Sequence, residues 1–292
     1  MRSPRLVAAL VCAALAAPTA WASGPSLWAV AGRSNTVYLF GSVHLLRPGE
    51  FALQGALEDA YDGAAAVYLE IDMDDLSGPE IAAATVARAI DPGGRSLDEL
   101  MGEDAALART RAEKAGIDLS SLSRLEPWFA GLAVVSLALA RDGYSAEAGV
   151  EQVVQDRAAA DGKEILGLET LDEQLAALDS MEIGIQREFL LKALDDAQRP
   201  ADALQDFLRA WQEGDDAALA AELAGEFAGM PELYRSLLVE RNRKWTERIS
   251  ALLDDSRDFL VVVGSLHLVG PDGLPRMLQA RGFTVTRRAA SP

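Results

Sequence analysis

Two short stretches carry all the imidazole in this 292-residue chain: LFGSVHLL at Leu39–Leu46 and VVGSLHLV at Val262–Val269. His44 and His267 each stand three residues after a glycine, in the same Gly-Ser-x-His-Leu context. Each pattern follows a β-rich apolar run. Two further runs of that kind end in acids, AAVYLE at Glu70 and EILGLE at Glu169. In open α/β sheets, sites form outside the carboxyl ends of the strands. If these four runs are parallel neighbours, two imidazoles and two carboxylates converge. That set suits a divalent ion, or acid–base work on a water molecule. The plainer alternatives are satisfied structural histidines at strand ends, and acids acting as helix caps or surface groups.

The glycines have a physical role of their own. Gly41 and Gly264 end a run where the backbone must turn or admit a close approach, which a side chain would prevent. Ser42 and Ser265 beside them can hydrogen-bond a backbone group or a substrate. A fifth candidate comes from helical periodicity. In PELYRSLLVERNRKWTERISALL, Tyr234, Leu238, Trp245, Ile249 and Leu252 fall on one stripe at 100° per residue. Arg241 lies in the middle of that stripe, with Asn242 at its edge. A guanidinium facing a core needs a carboxylate or an anionic ligand. An internal salt bridge to Glu70 or Glu169 and a substrate-binding role are both open. Glu126, before Pro127 and Trp128, reads as an acid at a helix N-terminus.

The elements that must position these residues are legible in outline. LWAVAG (Leu27–Gly32) and TVYLFGS (Thr36–Ser42) read as a hairpin through Arg33-Ser34-Asn35. A helix is expected over Phe51–Asp62, a strand over Ala65–Asp72, and helices from Pro79 to Tyr144. The thirteen-residue run Trp128–Ala140 is too short to span a bilayer and reads as a core helix. A helix over Val150–Gly162 and a strand over Lys163–Thr170 follow. Helices then run to Leu252, broken near Pro200, Gly214 and Gly229-Met230-Pro231. DFLVVVGS (Asp258–Ser265), a helix near Gly273–Arg281 and FTVTR (Phe283–Arg287) close the chain. Strands alternating with helices at both ends give an α/β fold: a mixed central sheet, flanking helices and a large helical insertion at about residues 78–160.

Composition narrows the class. Lys and Arg number 27, Asp and Glu 45, for a net charge of −18, which becomes more negative once Arg2 and Arg5 are removed. That argues against nucleic acid and anionic membranes as partners. Half of the residues are hydrophobic, enough for a full core. The first 22 residues read as a secretory signal peptide: a basic start, the apolar run Leu6–Ala17, and Ala20-Trp21-Ala22 as the cleavage site. Residues 23–292 are then one domain, secreted or periplasmic in a bacterium, with no membrane span. Cys12, the only cysteine, falls in the signal, so thiolate chemistry is excluded from the mature chain. There is no G-x-S-x-G elbow, no HExxH and no phosphate loop of standard spacing. Asp72 and Asp74 read as solvated.

The tandem Gly-x-x-His motifs, the acid after the second block's strand, GLETLDEQ, and RNRKW ahead of VVVGSLHLVGPDGLP together resemble the TraB/PrgY/GumN family, most closely its GumN branch. The resemblance runs from about Leu27 to Arg287. It implies an erythromycin-esterase-like fold. Through the animal TIKI proteases, it implies a metal-dependent peptidase that relies on the two motifs and an acid. Carried onto this sequence, that gives His44, His267 and Glu70 as ligands of Mn, Co or Zn, with Arg241 and Asn242 in the pocket. Glu169 would be a further ligand or the general base, Arg241 would meet a substrate carboxylate or an oxyanion, and the partner would be a peptide or a small molecule. Two other readings stand beside it: a metal-free hydrolase in which one histidine activates water, and a peptide- or ligand-binding protein with no turnover, in line with the family's pheromone-shutdown members.

Overall fold

The most apolar run of the sequence forms the middle of the sheet. In the computed structural model, which describes residues 24–72 and 78–288, six strands lie in the order β4-β3-β5-β2-β1-β6. The elements follow the chain as β1 (Leu27–Ala31), β2 (Thr36–Ser42), α1 (Ala56–Gly63), β3 (Ala66–Ile71), α2 (Gly78–Ala89), α3 (Leu97–Met101), α4 (Ala105–Ala115), α5 (Pro127–Arg141), α6 (Val150–Asp161), β4 (Glu164–Glu169), α7 (Leu171–Asp179), α8 (Ile183–Asp196), α9 (Pro200–Glu213), α10 (Asp216–Glu226), α11 (Pro231–Tyr234), α12 (Glu240–Leu252), β5 (Phe259–Gly264), α13 (Leu274–Ala280) and β6 (Thr284–Arg287). This is an α/β fold around a mixed sheet. The expected signal peptide, with Cys12, and Asp74 lie outside the described residues.

Strands β4, β3, β5 and β2 are adjacent and parallel. β1 pairs antiparallel with β2 as the expected hairpin, and β6 pairs antiparallel with β1. Every residue of β5 is buried, as a central parallel strand with both faces covered requires. Alternation divides the strands between two cores. Phe40, Val67, Leu69, Leu260 and Val262 face Tyr61 of α1, Val150 and Val154 of α6, and Trp211 of α9. Val37, Leu39, Ala66, Val261 and Val263 face Trp245 and Ile249 of α12, and Leu274 and Leu278 of α13. A third apolar cluster joins α3, α4, α5 and α8 away from the sheet.

Three expectations shift. The first helix begins at Ala56 rather than Phe51, because the Phe51 ring packs beside Phe40 at 6.0 Å and Trp211 at 6.2 Å. The helical layer is not the single block at 78–160. Its core is made by α3–α5 together with α8, which follows β4, while α6 lies on the sheet through Val150, Val154 and Ala158. The long helix carrying Arg241 is not uniform either. A π-helical turn at Arg235–Val239 separates α11 from α12 and rotates the stripe between them. No helix among the described residues is long and apolar enough to cross a membrane.

The segment after β2 is clamped to the start of α6. Val150 N–H donates to Val43 O at 3.0 Å, and Leu46 and Ser145 exchange backbone hydrogen bonds at 3.3 and 2.9 Å. Gly149 makes this possible, because a Cβ there would stand 2.2 Å from His44 O. Gly149→Ala should therefore push His44 away from α6. Overpacking against backbone costs about 1–3 kcal/mol, so the denaturation midpoint of the variant should fall by a corresponding amount.

Candidate active site

The carboxyl ends of the four parallel strands meet at one point. A Cβ on Gly264 would stand 3.3 Å from Glu70 Oε1, 3.5 Å from His44 Nε2 and 3.6 Å from His267 Cδ2. The glycine at the end of β5 thus leaves the space into which both imidazoles and a carboxylate turn. His44, His267, Arg241, Gly264, Ser42 and Ser265 line a cavity of about 380 Å³ there.

Arg241 organises the acids. Its NH2 donates to Glu70 Oε2 at 2.7 Å and to Glu169 Oε1 at 2.6 Å, and its Nε donates to both Glu169 oxygens at 3.0 and 3.2 Å. NH1 donates to Leu237 O at 3.2 Å and lies 3.4 Å from His267 Nε2. The guanidinium also stacks over Trp245 at 4.5 Å. All of its N–H directions are used, so it braces the site and has no donor to spare for a substrate. Glu70 Oε1 accepts Gly264 N–H at 2.8 Å, and Gln174 Nε2 lies 3.3 Å from Oε2. Burial pushes the Glu70 carboxyl up, but the Arg241 charge, the imidazoles and the Gly264 amide outweigh it and hold it at about 2. Glu169 goes the other way. Burial raises it, against Arg241's pull, and the neighbouring Glu70 charge adds to the rise. One guanidinium serves two carboxylates and cannot hold both equally low.

The two imidazoles are held differently. His267 sits in a 3₁₀ turn at Ser265–Leu268, its ring 4.6 Å from that of Trp245. Asn242 is wholly buried, and its Nδ2 donates to His267 O at 3.2 Å and Asp272 O at 2.8 Å. That fixes the amide oxygen toward His267 Nδ1, 2.7 Å away. Nδ1 therefore carries the proton, and Nε2 faces Arg241 and the cavity with its lone pair. Burial, with Arg241 and His44 nearby, pushes the His267 imidazole down to about 3 despite Glu70. It is neutral across the physiological range.

His44 is more open, with 64% of its side chain accessible. Its Nδ1 lies 2.7 Å from Glu151 Oε1, in the first turn of α6, and Ser42 Oγ donates to the same carboxylate oxygen. Glu151, reinforced by its hydrogen bond and by Glu70, raises the His44 imidazole to about 9 against the partial desolvation of the ring by its neighbours and the Arg241 charge. Water at the open ring screens part of that pull. Burial raises the Glu151 carboxyl, but His44 and Ser42 bring it below its ordinary value.

The expected residues therefore divide. His44, His267, Glu70 and Glu169 come together, and Arg241 bridges the two acids. Asn242 and Ser42, expected at the substrate, are spent instead on His267 and Glu151. The Ser265 hydroxyl is buried on the cavity wall without a hydrogen-bond partner. Glu126 is buried at the start of α5, beside Gln186. Sequence reasoning missed Glu151, and also Gln174 and Trp245 as site residues. For Glu151 the one available signal was an acid just after Gly149 at a helix start.

A divalent ion fits this donor set poorly. No three His, Cys, Asp or Glu side chains among the described residues are grouped to hold one. Both imidazoles present Nε2, but the Glu70 oxygens are already engaged, and a guanidinium stands 3.4 Å from His267 Nε2.

The TraB/PrgY/gumN family model matches residues 26–287. The chain belongs to that family. It is 23% identical over 272 residues to an uncharacterized protein of Treponema pallidum (strain Nichols), covering 87% of this chain and 80% of that one. It is 24% identical over 247 residues to the uncharacterized protein YbaP of Escherichia coli (strain K12), covering 83% of this chain and 87% of that one, and equally to YbaP of Shigella flexneri. No solved structure matches the chain significantly.

With only two histidines, the site can be read by NMR. One imidazole, His44, should titrate well above the ordinary 6.5, toward about 9. The other, His267, should stay neutral down to about 3. Glu151→Gln should bring the first midpoint back toward 6.5. Two ordinary titrations near 6.5 would contradict the described hydrogen bonding. Arg241→Leu should cost about 3–5 kcal/mol, because it leaves two buried carboxylates without their cation. Chemical denaturation measures this, and an unchanged midpoint would mean that the guanidinium braces nothing.

Proposed function

We propose that the protein is a hydrolase of carboxylic esters or amides, in which His44 acts as general base on water without a metal. The supporting observation is the His44–Glu151 pair. A carboxylate fixes the Nδ1 proton and leaves Nε2 turned to a cavity that is also lined by the neutral His267 imidazole and by Arg241. This is the base-plus-orienter half of the familiar hydrolytic triads, with water in place of the nucleophilic side chain.

The step balances simply. The water oxygen bonds to the acyl carbon while its proton passes to His44 Nε2. The carbon–oxygen or carbon–nitrogen bond then breaks, and His44 returns the proton to the leaving group. The Ser265 hydroxyl, which has no hydrogen-bond partner, would supply a donor to the developing oxyanion if a rotation of its side chain turns it into the cavity. His267 stays neutral beside the reacting groups, its Nε2 lone pair turned to Arg241 NH1. Arg241 keeps Glu70 and Glu169 in place without touching substrate.

The base must be neutral. Its pKa is raised to about 9, so kcat/KM should climb with pH through the alkaline range and level off above that value. Glu151→Gln should move the limb to lower pH and lower the plateau, since the remaining base is weaker and less well oriented. His44→Ala should lose about 10²–10⁴-fold. A rate independent of pH between 6 and 9, or an active His44→Ala, would exclude His44 as the base.

A metal-assisted peptidase with Mn, Co or Zn on His44, His267 and Glu70 is a second reading. It is favoured by one observation: each imidazole is tied through Nδ1 and presents Nε2 to the same cavity. It would require Arg241 to release Glu70. Chelation separates the two. Activity and melting temperature unchanged by a chelator, and by added Mn, Co or Zn, support the metal-free reading. Activity lost and restored by one ion supports the other. Ligand binding with no turnover of any ester or peptide would leave a binding protein. Secretion or a periplasmic location, inferred from residues 1–22, is tested by N-terminal sequencing of the exported protein.

A further inference from the structure

The walls of the cavity opposite the imidazoles are apolar. Val135 and Leu139 of α5, Leu204 and Phe207 of α9, and Leu266 line it. The same five residues also line a second cavity of about 250 Å³, which continues between α5, α8, α9 and α10. The two cavities thus share one apolar wall, the first at His44 and His267 and the second within the helical layer. Its polar residues lie beyond that shared wall and are acidic: Asp196, Glu222 and Glu226. Two of them are engaged by Lys192, at 2.6 and 2.8 Å.

We propose that the two cavities join across this wall into one path that takes an uncharged hydrocarbon chain, so that the substrate is an ester or amide of a medium- to long-chain carboxylic acid. The inference rests on the hydrolase reading and deepens it. An extended peptide laid along the path would bury its amides against the side faces of α5 and α9, whose own backbone groups are committed to the helices. A hydrocarbon chain carries no such groups and gains from the same surface. An anionic tail would meet carboxylates at the far end. The carbonyl then lies at the polar end of the cavity, beside Ser265 and the imidazoles, with the chain running away from them.

The test is a series of p-nitrophenyl esters from acetate to palmitate. Each methylene buried is worth about fourfold in kcat/KM, so the octanoate should exceed the butyrate by at least tenfold. Leu204→Trp, which narrows the path where the two cavities join, should lower the octanoate-to-butyrate ratio; circular dichroism checks its fold. In parallel, calorimetry follows acetate, octanoate and dodecanoate binding to His44→Ala, where affinity should rise with chain length. Turnover with a flat chain-length profile overturns the acyl inference and leaves the hydrolase reading standing. No ester turnover, but binding that strengthens with chain length, sustains the path and overturns the hydrolase reading. The absence of both turnover and chain-dependent binding overturns the inference, and so does turnover of unacylated peptides in preference to every ester.

Discussion

One guanidinium shared by two carboxylates holds this site together. Arg241 leaves water to lie between the ends of β3 and β4, and desolvating it would be costly in isolation. The cost is met because Glu70 and Glu169 arrive on adjacent parallel strands, Ile71 pairing with Glu169, so two acids stand where one cation can bridge them. Trp245 covers the guanidinium face and stacks His267 from the same helix. The brace also fixes the register of α12 against the sheet, and with it Asn242, one residue on, which orients His267. The π-helical turn just before α12 belongs to the same arrangement, since Arg241 NH1 reaches back to Leu237 O inside it.

Charge then sorts the titratable groups into distinct states. Arg241 keeps Glu70 ionised and, with burial, keeps His267 neutral. His44 is paired with a separate carboxylate, Glu151, which dominates it. Two imidazoles that see the same space are thus pushed in opposite directions, His44 up by Glu151 and His267 down by burial. Environments that push two like groups apart are how a single site obtains one group fit for proton transfer and another fit only to accept a hydrogen bond.

The parallel sheet was legible because apolar runs ending in ligand-type residues carry a strong local signal. His44, Glu70, Glu169 and His267 announced themselves as strand ends, and the rule for strand carboxyl ends brought them together. Arg241 was legible from periodicity, as a charge on an apolar stripe, and of its two open readings the internal salt bridge is the one the geometry supplies. Glu151 was not legible. It faces His44 only because β2's exit loop is clamped to the start of α6 by backbone hydrogen bonds, and such pairing leaves no trace in side-chain pattern. The helical layer was misdrawn for a related reason. Which amphipathic helices share a core is decided by long-range packing, and α8 joins α5 across the intervening β4.

The repeated Gly-Ser-x-His motif has one meaning for the backbone and two for the side chains. In the second copy the glycine is the last residue of its parallel strand and in the first the next to last, and in both the histidine turns over the strand ends. In the first copy the serine hydroxyl serves Glu151, and through it His44. In the second the hydroxyl is buried with no protein partner, in a residue that lines the cavity. The imidazoles diverge in the same way, one backed by a carboxylate and open, the other backed by an amide and buried. A structural repeat needs only the glycine and a strand. The difference between the copies lies wholly in what each serine and histidine meets, so the asymmetry of the surroundings, more than the motif itself, carries the chemistry.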